Sequence, residues 1–395
     1  MAENSGISWT DHTFNPWRGC LKVSPACANC YADRLSKRNP STFGVWGSES
    51  SGATRVVASE SMWQQPVKWN AQAEQEGKRL RVFCASLADV FEDWGIQVVD
   101  SHGKALNPAY EPATASEIDD GDLLSLCDVR RRLFQLIDAT PNLDWLLLTK
   151  RPENIIRMWP MTPGLPATVG DRDIKDVRAT ELMHRPNVWL GTTVENQEYA
   201  DKRIPELLRC RDLCDKLFLS CEPLLGPIDL SQIPTSPKDR VQAHVLRGTY
   251  EMEHPGDYET QAAMQGFEGG PKIDWVIAGG ESGSKARPSH PEWFRSLRDQ
   301  CSDAGVPFHF KQWGEHCPSK GFDPEIDHDV RIDLGGRDVT GLSGLWDESD
   351  AFMHRDGVKA AGRTLDGVEH LAFPSVDPSQ MTGDNMLHTE VPDAH

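Results

Sequence analysis

Six short apolar runs recur along the chain, and each of them ends in polar residues. They are rich in β-branched or aromatic residues and cover positions 81–86, 144–150, 188–194, 216–222, 274–280 and 307–313. Short, continuously apolar runs are typical of β-strands that are buried on both faces. We therefore predict six buried strands, and a seventh, shorter strand near Ile7–Trp9.

Helical spacing lies between several of these runs. Segment 128–141 stops near a proline and has one apolar side, formed by Val129, Leu133, Leu136 and Ile137. Segment 290–305 ends in a glycine and has one apolar side, formed by Trp293, Leu297 and Cys301. Strands that alternate with helices imply right-handed crossovers and a parallel sheet. The predicted fold class is α/β, as a partial (β/α) barrel with inserted loops or, alternatively, as a doubly wound parallel sheet.

Stretches that interrupt this alternation give the predicted domain organisation. Residues 1–317 form the core, with insertions at about 36–75 and 231–271. Residues 318–380 are an acidic C-terminal extension that we expect to pack on the core. Residues 381–395 are predicted to be a flexible tail.

Charge and composition narrow the classes of function. The formal net charge is −19, which argues against a protein that binds nucleic acid by bulk electrostatics. The acidic residues are concentrated, however, in segments 100–122 and 323–350, so the rest of the chain is less acidic and can still form a local basic cleft. No apolar run approaches the roughly 18 residues that span a bilayer. We expect a cytoplasmic protein without a membrane partner, whose ten cysteines are mostly reduced.

Every predicted strand is followed by groups that form hydrogen bonds or carry charge. In parallel α/β folds, ligands bind at the carboxyl ends of the strands. These ends place the following residues around a candidate binding site: Asp89, Lys150, Arg151, Thr192, Thr193, Glu195, Ser220, Glu222, Gly279, Gly280, Glu281, Ser282, Lys311 and Gln312. Solvation of the loops is the alternative explanation for any one of them. In the Gly-Gly-Glu stretch, the glycines allow close backbone approach to a ligand and the glutamate suits an ammonium group; a tight turn is the alternative.

Three cysteines lie close together in the pattern Cys20-x6-Cys27-x2-Cys30. A disulfide would leave one thiol over, and a structural zinc ion would need a fourth ligand, for which His12 is the nearest candidate. A [4Fe-4S] cluster held by three thiolates keeps one iron open for a substrate or cofactor. Spacing alone leaves iron–sulfur, zinc and metal-free thiols open. The scattered cysteines are interpreted as small packing residues.

Several sequence blocks, spread in order over about residues 7–316, carry a family resemblance. They include WTDHTFNPWRGC, SPACANCYA, LADVF, LLLTKRP, WLGTTVENQ, FLSCEPLLGPIDL, WVIAGGESG and FKQWGE. The chain resembles the radical SAM superfamily and, more closely, a phage-encoded radical SAM-like family. Two features depart from the wider superfamily: the first cysteine gap is six residues rather than three, and Gly-Gly-Glu follows a late strand.

The resemblance implies cofactors, site residues and a mechanism. Cys20, Cys27 and Cys30 would hold a [4Fe-4S] cluster whose open iron binds S-adenosylmethionine. Binding of S-adenosylmethionine is assigned to Thr192, Thr193, Glu195, Ser220, Glu222, Gly279, Gly280, Glu281 and Ser282. Substrate contacts are assigned to Asp89, Lys150, Arg151, Lys311 and Gln312. One electron, from a donor such as flavodoxin or ferredoxin, would cleave the sulfonium, and the 5′-deoxyadenosyl radical would abstract a substrate hydrogen.

The similarity to phage radical SAM isomerases of thymidine hypermodification implies a substrate. The enzyme would convert an N-linked to a C-linked glycine on a modified thymidine in phage DNA, in the host cytoplasm, and so protect that DNA from host restriction. One alternative is radical repair or modification of another nucleic acid, such as a photoproduct or a tRNA base. Another is a non-catalytic, zinc-stabilised nucleic-acid-binding module. Candidate DNA contacts are Arg34, Lys37, Arg38, Lys150, Arg151, Arg157, Trp46, Trp63 and Trp69, with solvated charge and core packing as alternatives.

Overall fold

Seven parallel strands form the central sheet of the computed structural model. The structure describes residues 5–96, 98–106, 125–160, 182–235, 241–252, 268–319, 330–340 and 347–375. The strands are β1 (His12–Thr13), β2 (Leu80–Cys84), β3 (Leu143–Thr149), β4 (Arg185–Thr193), β5 (Cys214–Cys221), β6 (Trp275–Gly279) and β7 (Phe308–Gln312). Each strand pairs in parallel with its successor along the chain. The predicted α/β class and parallel sheet are confirmed.

The strand order decides how the sheet closes. It runs from β1 to β7 without a reversal, and the sheet is curled into a half-barrel. A doubly wound sheet reverses its order at a switch point. The sequential order therefore favours the predicted partial barrel over the doubly wound alternative.

The six long strands coincide with the predicted apolar runs, but the seventh was misplaced. Ile7–Trp9 belongs to a turn, which the amide of Thr10 closes by donating to the carbonyl of Ile7 at 3.2 Å. The strand itself begins at His12. The prediction was wrong because the apolar character of this stretch reflects the side chain of Trp9, which is buried in the half-barrel interior. The backbone of Trp9 does not join the sheet.

Five helices of eight or more residues are described: α1 (Tyr31–Arg38), α2 (Gln65–Glu76), α3 (Leu126–Asp138), α4 (Gln197–Leu208) and α5 (Pro291–Ala304). Shorter helices are Pro40–Phe43, Glu60–Trp63, Ile155–Met158 and Val358–Ala361, and 3-10 turns are Pro25–Cys27, Glu49–Ser51, Pro152–Asn154 and Arg211–Leu213. A capping box between Ser125 and Asp128 starts α3. Gly305, with φ +66, ends α5. Both helices predicted from the sequence are confirmed.

Alternate residues of the strands separate two apolar regions. On the outer face, residues such as Val82, Leu147, Leu190, Leu219 and Val276 pack in one large cluster with the helices. On the inner face, a second cluster fills the base of the half-barrel and consists of Trp9, Phe83, Leu146, Trp189, Phe218, Trp275 and Ile277. We call this second cluster the floor. Period-two alternation of this kind places a packed layer on each side of the sheet.

Small antiparallel sheets surround the core. The first pairs Trp17–Arg18 with Val56–Val57. In the second, Val241–His244 lies between Ile233–Pro234 and Thr249–Met252. In the third, Ala351–Arg355 lies between His316–Pro318 and Val330–Ile332. The first two sheets include parts of the predicted insertions.

The C-terminal part of the described chain contacts the core. The carbonyl oxygens of Thr364 and Ala372 accept hydrogen bonds from the indoles of Trp313 and Trp275. The predicted tail, 381–395, lies outside the described residues. No described helix is long and apolar enough to cross a membrane.

Candidate functional site at the carboxyl ends of the strands

A cavity of about 440 Å³ opens at the carboxyl ends of the strands. Its base is apolar and includes Trp9 and Phe83 of the floor together with Leu148. Its walls carry polar strand-end side chains, which include Lys150, Thr193, Ser220, Glu222 and Lys311. Its mouth is bordered by residues 20–30, which we call the cysteine loop. An apolar base with a few polar wall groups is typical of small-molecule sites.

All three thiols of the cysteine loop line this cavity. The loop contains the 3-10 turn Pro25–Cys27, and the amide of Cys30 then donates to the carbonyl of Cys27 at 3.3 Å. Cys30 directly precedes α1, so the second and third thiols are held between a turn and a helix start. All three cysteines are half-buried and free of disulfides.

Two charged side chains anchor the first arm of the cysteine loop. The amide of Leu21 donates to Oε1 of Glu92 at 2.8 Å, and its carbonyl accepts from Arg151 at 2.8 Å. Glu92 is in turn held by two hydrogen bonds from the buried Arg55, at 2.6 and 2.8 Å. This clamp fixes the arm of the loop that follows Cys20.

Arg151 also approaches the first thiol. One of its guanidinium nitrogens lies 3.8 Å from Sγ of Cys20 and 2.8 Å from Oδ2 of Asp89. Burial raises the pKa of Cys20 to about 12; nearby Glu92 adds to this rise, and Arg151 opposes it. Burial opposes ionisation of Asp89 too, but Arg151 and a hydrogen bond from Thr149 hold the pKa of that carboxyl below its usual range. A nearby cation or a metal favours the thiolate form of such a thiol.

Two further charged residues hold the second arm. Oε1 of Glu195 accepts from the amide of Ala26 at 3.3 Å, while Oε2 accepts from Arg203 of α4 at 2.8 Å. Arg287 donates to the carbonyl of Pro25 at 3.0 Å. Glu195 is completely buried, so this carboxylate fixes the loop and does not border the cavity.

Glu281, the acid of the Gly-Gly-Glu stretch, is bound to the cysteine loop. Its carboxylate accepts from Asn29 at 3.0 Å and from the side chain and amide of Arg287. Burial opposes its ionisation, but the bonds from Arg287 and Asn29 outweigh it and lower the pKa of Glu281. The glycine before it is required by packing, because a Cβ on Gly280 would lie 1.8 Å from the carbonyl oxygen of Trp313.

A further ion pair, beside that of Asp89 and Arg151, lies on the cavity wall. Nζ of Lys311 lies 2.5 Å from Oε1 of Glu222, and each side chain is about one-fifth exposed, at 20% and 19%. Tyr31 also lines the cavity. Burial raises the pKa of its hydroxyl to about 12, and the nearby Cys30 and Glu222 add to this rise. That hydroxyl donates to the carbonyl of Ser86 at 2.6 Å.

The sequence-predicted site residues divide into two groups. Those that line the cavity are Cys20, Cys27, Cys30, Asp89, Lys150, Arg151, Thr193, Ser220, Glu222, Gly280, Glu281, Ser282 and Lys311. Those outside its lining are Thr192, Glu195, Gly279 and Gln312. Thr192 donates to the carbonyl of Thr149, and Gln312 donates to Ser282 at 3.0 Å. The strand ends thus meet at one site, as the parallel sheet predicts.

The candidate nucleic-acid contacts also divide. Trp63 and Trp69 are buried in the outer cluster, so the core-packing alternative is the correct one for them. Trp46 lines the cavity. Among the basic residues, Lys37 pairs with Asp33 and Arg157 with Asp93.

His12, the candidate fourth ligand for zinc, lies away from the thiols. It is buried and stacks on Trp69 of the outer cluster, with ring centroids 4.3 Å apart. It does not line the cavity. Within the described residues, no group of three or more His, Cys, Asp or Glu side chains is placed to share one metal ion.

Sequence reasoning missed the partners of the buried acids. These are Asn29, Arg203 and Arg287. A signal was present, because a buried carboxylate needs a cation, and arginines follow Glu195 and Glu281 by eight and six residues. For Glu92, the sequence gives no feature that distinguishes it from the other acidic residues that follow β2.

The fold and the site together define an α/β half-barrel with a three-thiol loop at its mouth. The chain matches the model of a protein family described as protein of unknown function (DUF5131), over residues 4–102 and 124–374. Because this match covers most of the sequence, the chain belongs to that family. No curated protein matches it significantly. No solved structure does so either.

Proposed function

We propose that this protein is a radical SAM enzyme that uses a [4Fe-4S] cluster and S-adenosylmethionine. The observation that carries the proposal is the position of Cys20, Cys27 and Cys30, which line one cavity at the carboxyl end of a parallel half-barrel. That end of an α/β sheet is where such folds bind ligands. Among the residues that the structure describes, the cavity lining has these three cysteines and no further cysteine or histidine, which suits a cluster with one open iron.

The donor set fits an iron–sulfur cluster better than a single zinc ion. Three thiolates can hold a [4Fe-4S] cluster, because each of them binds a different iron, whereas a structural zinc site needs a fourth ligand. For zinc, the candidate fourth ligand His12 stacks on Trp69 and does not line the cavity.

When bound, the cluster and S-adenosylmethionine supply a carbon radical that removes a hydrogen atom from the substrate. The chain contributes orientation and shelter. Glu92, Arg151 and Glu195 fix the cysteine loop through its backbone, so the thiols are positioned before a cofactor arrives. The aromatic floor closes the far end of the cavity, which limits access of water to a reactive intermediate.

For the substrate, we propose a glycine-substituted thymidine of phage DNA, isomerised from the N-linked to the C-linked form and protecting that DNA from host restriction. The aromatic residues Tyr31 and Trp46 at the cavity support a flipped base, because bases stack on such side chains. Lys150 in the cavity wall supports an anionic substrate. We further propose that an acidic carrier such as flavodoxin or ferredoxin donates the electron, in the host cytoplasm.

Iron analysis tests the first proposal. Protein purified without oxygen is expected to be brown, to absorb near ~400 nm and to carry about four irons per chain. Cys20→Ala, Cys27→Ala and Cys30→Ala should each lose most of this iron. Cys127→Ala and Cys317→Ala are the matched controls, because neither thiol lines the cavity. A colourless wild-type protein with one zinc ion would contradict the proposal.

Nucleoside mass spectrometry tests the substrate. Phage DNA made with and without this gene should differ in the proportion of C-linked to N-linked glycyl thymidine. An unchanged nucleoside profile, from cells in which the protein carries iron, would remove the proposed substrate while leaving the enzyme class in place.

A further inference from the structure

We propose that Glu222 and Lys311 act together as a receptor for one α-amino-acid group, with Glu222 binding its ammonium and Lys311 its carboxylate. This inference rests on the proposed function, because it names how that same cavity recognises its ligand. It departs from the sequence expectation, in which the Gly-Gly-Glu acid, Glu281, takes the ammonium group.

The pair has the position that this role needs. Glu222 follows β5, and Lys311 lies in β7, two strands away across β6. Both side chains line the cavity and meet there at 2.5 Å. Between them lies Gly279, where a Cβ would stand 3.4 Å from Cδ of Glu222 and 3.5 Å from Cβ of Lys311. A larger side chain at this position would therefore press against both charged residues.

The pair also has spare bonding capacity. Among the described residues, the side chains of Glu222 and Lys311 have no hydrogen-bonding partner other than each other. An ammonium carries three donors and a carboxylate about four acceptor sites, so most of both sets is available. Glu281 offers no such capacity, because Arg287 and Asn29 already donate to it and tie it to the cysteine loop.

Charge balance selects the class of ligand. A simple anion that took Lys311 would leave the carboxylate of Glu222 unpaired in a mostly buried site, and a simple cation would do the same to Lys311. Leaving one partner of a buried pair alone is costly. A ligand that carries both an ammonium and a carboxylate can insert between the two side chains and satisfy each by a charge-assisted hydrogen bond. An α-amino-acid group has both charges at this short separation.

Two ligands of the proposed reaction carry such a group. One is the methionyl end of S-adenosylmethionine, and the other is the glycyl substituent of the modified thymidine. Calorimetry with both ligands, on anaerobically purified full-length protein without reductant, distinguishes these sources. 5′-Methylthioadenosine, which lacks the amino-acid group, is the third probe.

Glu222→Gln and Lys311→Met are expected to weaken binding of one zwitterionic probe by about tenfold or more, with little change for 5′-methylthioadenosine. Loss confined to S-adenosylmethionine identifies the methionyl group as the occupant, and loss confined to the glycyl nucleoside identifies the substrate. The surface pair Glu198 and Lys202, also 2.5 Å apart, supplies the matched controls Glu198→Gln and Lys202→Met. These controls should bind all probes like wild type.

A reversed pair separates recognition from a structural role. Glu222→Lys combined with Lys311→Glu keeps an ion pair on the cavity wall but exchanges its two ends. Thermal stability should return toward that of wild type, while affinity for the zwitterionic probe should not. Recovery of both would overturn the proposal, as would equal weakening of 5′-methylthioadenosine in the single variants, or unchanged affinity for both zwitterions. The iron content of the same samples reports on the proposed function independently.

Discussion

The floor and the mouth of the half-barrel are built on the same strands, yet they are held together in different ways. At the floor, Trp275 contacts Trp9, Trp189 and Phe218 through their rings, at centroid distances of 6.4, 6.0 and 5.9 Å. At the mouth, buried acids and arginines bind the backbone of the cysteine loop. The floor is stabilised by apolar burial, whereas the mouth depends on a specific set of paired charges.

This difference shows how one inner face serves two purposes. Apolar packing tolerates changes of shape as long as volume is kept, so the floor needs only large side chains that fit together. Gly191 illustrates the fit, since a Cβ there would lie 2.3 Å from the Phe218 ring. Paired charges tolerate far less, because each buried group requires its particular partner. The mouth therefore fixes the thiols more sharply than packing alone would.

Removing a floor residue should have the largest effect on stability. Trp275→Ala would leave a cavity among several aromatic rings, and we expect it to lower the free energy of unfolding by about 3–5 kcal/mol. Urea denaturation measures this change. Trp46→Ala at the mouth is the matched control, because this half-buried indole borders the open cavity, and it should cost less than about 1 kcal/mol. Similar losses in both variants would mean that floor and mouth do not differ in this way.

Breaking a charge pair at the mouth should have the next largest effect. Glu195→Gln keeps the shape of the side chain but leaves the buried Arg203 without a carboxylate partner. We expect a loss of about 3 kcal/mol in the free energy of unfolding, at the low end for a broken buried pair because Arg203 keeps its bond to the carbonyl of Thr193.

Hydrogen exchange distinguishes a local effect of this variant from a general one. The amides of Ala26, Cys27 and Ala28 should exchange faster in Glu195→Gln, while those of β5 and β6 should be unchanged at matched stability. Glu198→Gln, three residues later and largely exposed, should change neither measurement. Uniformly faster exchange across the sheet would contradict an anchoring role for Glu195.

A titratable group beside the floor should have an effect that appears only as the pH falls. His309 is fully buried beside Trp275, and burial, with Arg81 and Lys311 adding to it, lowers its pKa from 6.5 to about 4. The unfolded chain therefore binds a proton near pH 6.5, and the folded protein binds it only near pH 4. Stability that is present above pH 6.5 should be lost as pH falls toward 4, by about 3 kcal/mol.

The variant His309→Gln should flatten this part of the stability profile. Its unfolding free energy, measured in urea at several pH values between 4 and 7, should fall less steeply with decreasing pH than that of wild type, while other groups with lowered pKa values, such as His290 and His316, keep their share of the slope. His184→Gln removes a histidine whose side chain is 48% exposed and should leave the slope intact. Equal slopes in wild type and His309→Gln would exclude His309 as the responsible group.

Prediction from sequence succeeded where the signal is local. The six long strands, both predicted helices and the meeting of strand ends at one site follow from short-range patterns of apolar and polar residues. The strand predicted near Ile7–Trp9 is not formed, because the apolar residue Trp9 contributes its side chain to the floor instead. At the site, Glu195, Glu222 and Glu281 occupy similar places in the sequence, and no local pattern separates the acids that anchor the loop from the one that forms a wall pair.

The sequence by itself determined the α/β class, the parallel sheet and the three neighbouring thiols, because each depends on residues close together along the chain. Only the tertiary structure decided what the charged residues do. Glu195 meets Ala26 across 169 positions, and Lys311 meets Glu222 across 89. Such pairings depend on how the strands curl and on which cation each buried carboxylate meets in the folded chain. For that reason, Glu281 is bound to the cysteine loop, and Glu222 with Lys311 forms the wall of the cavity.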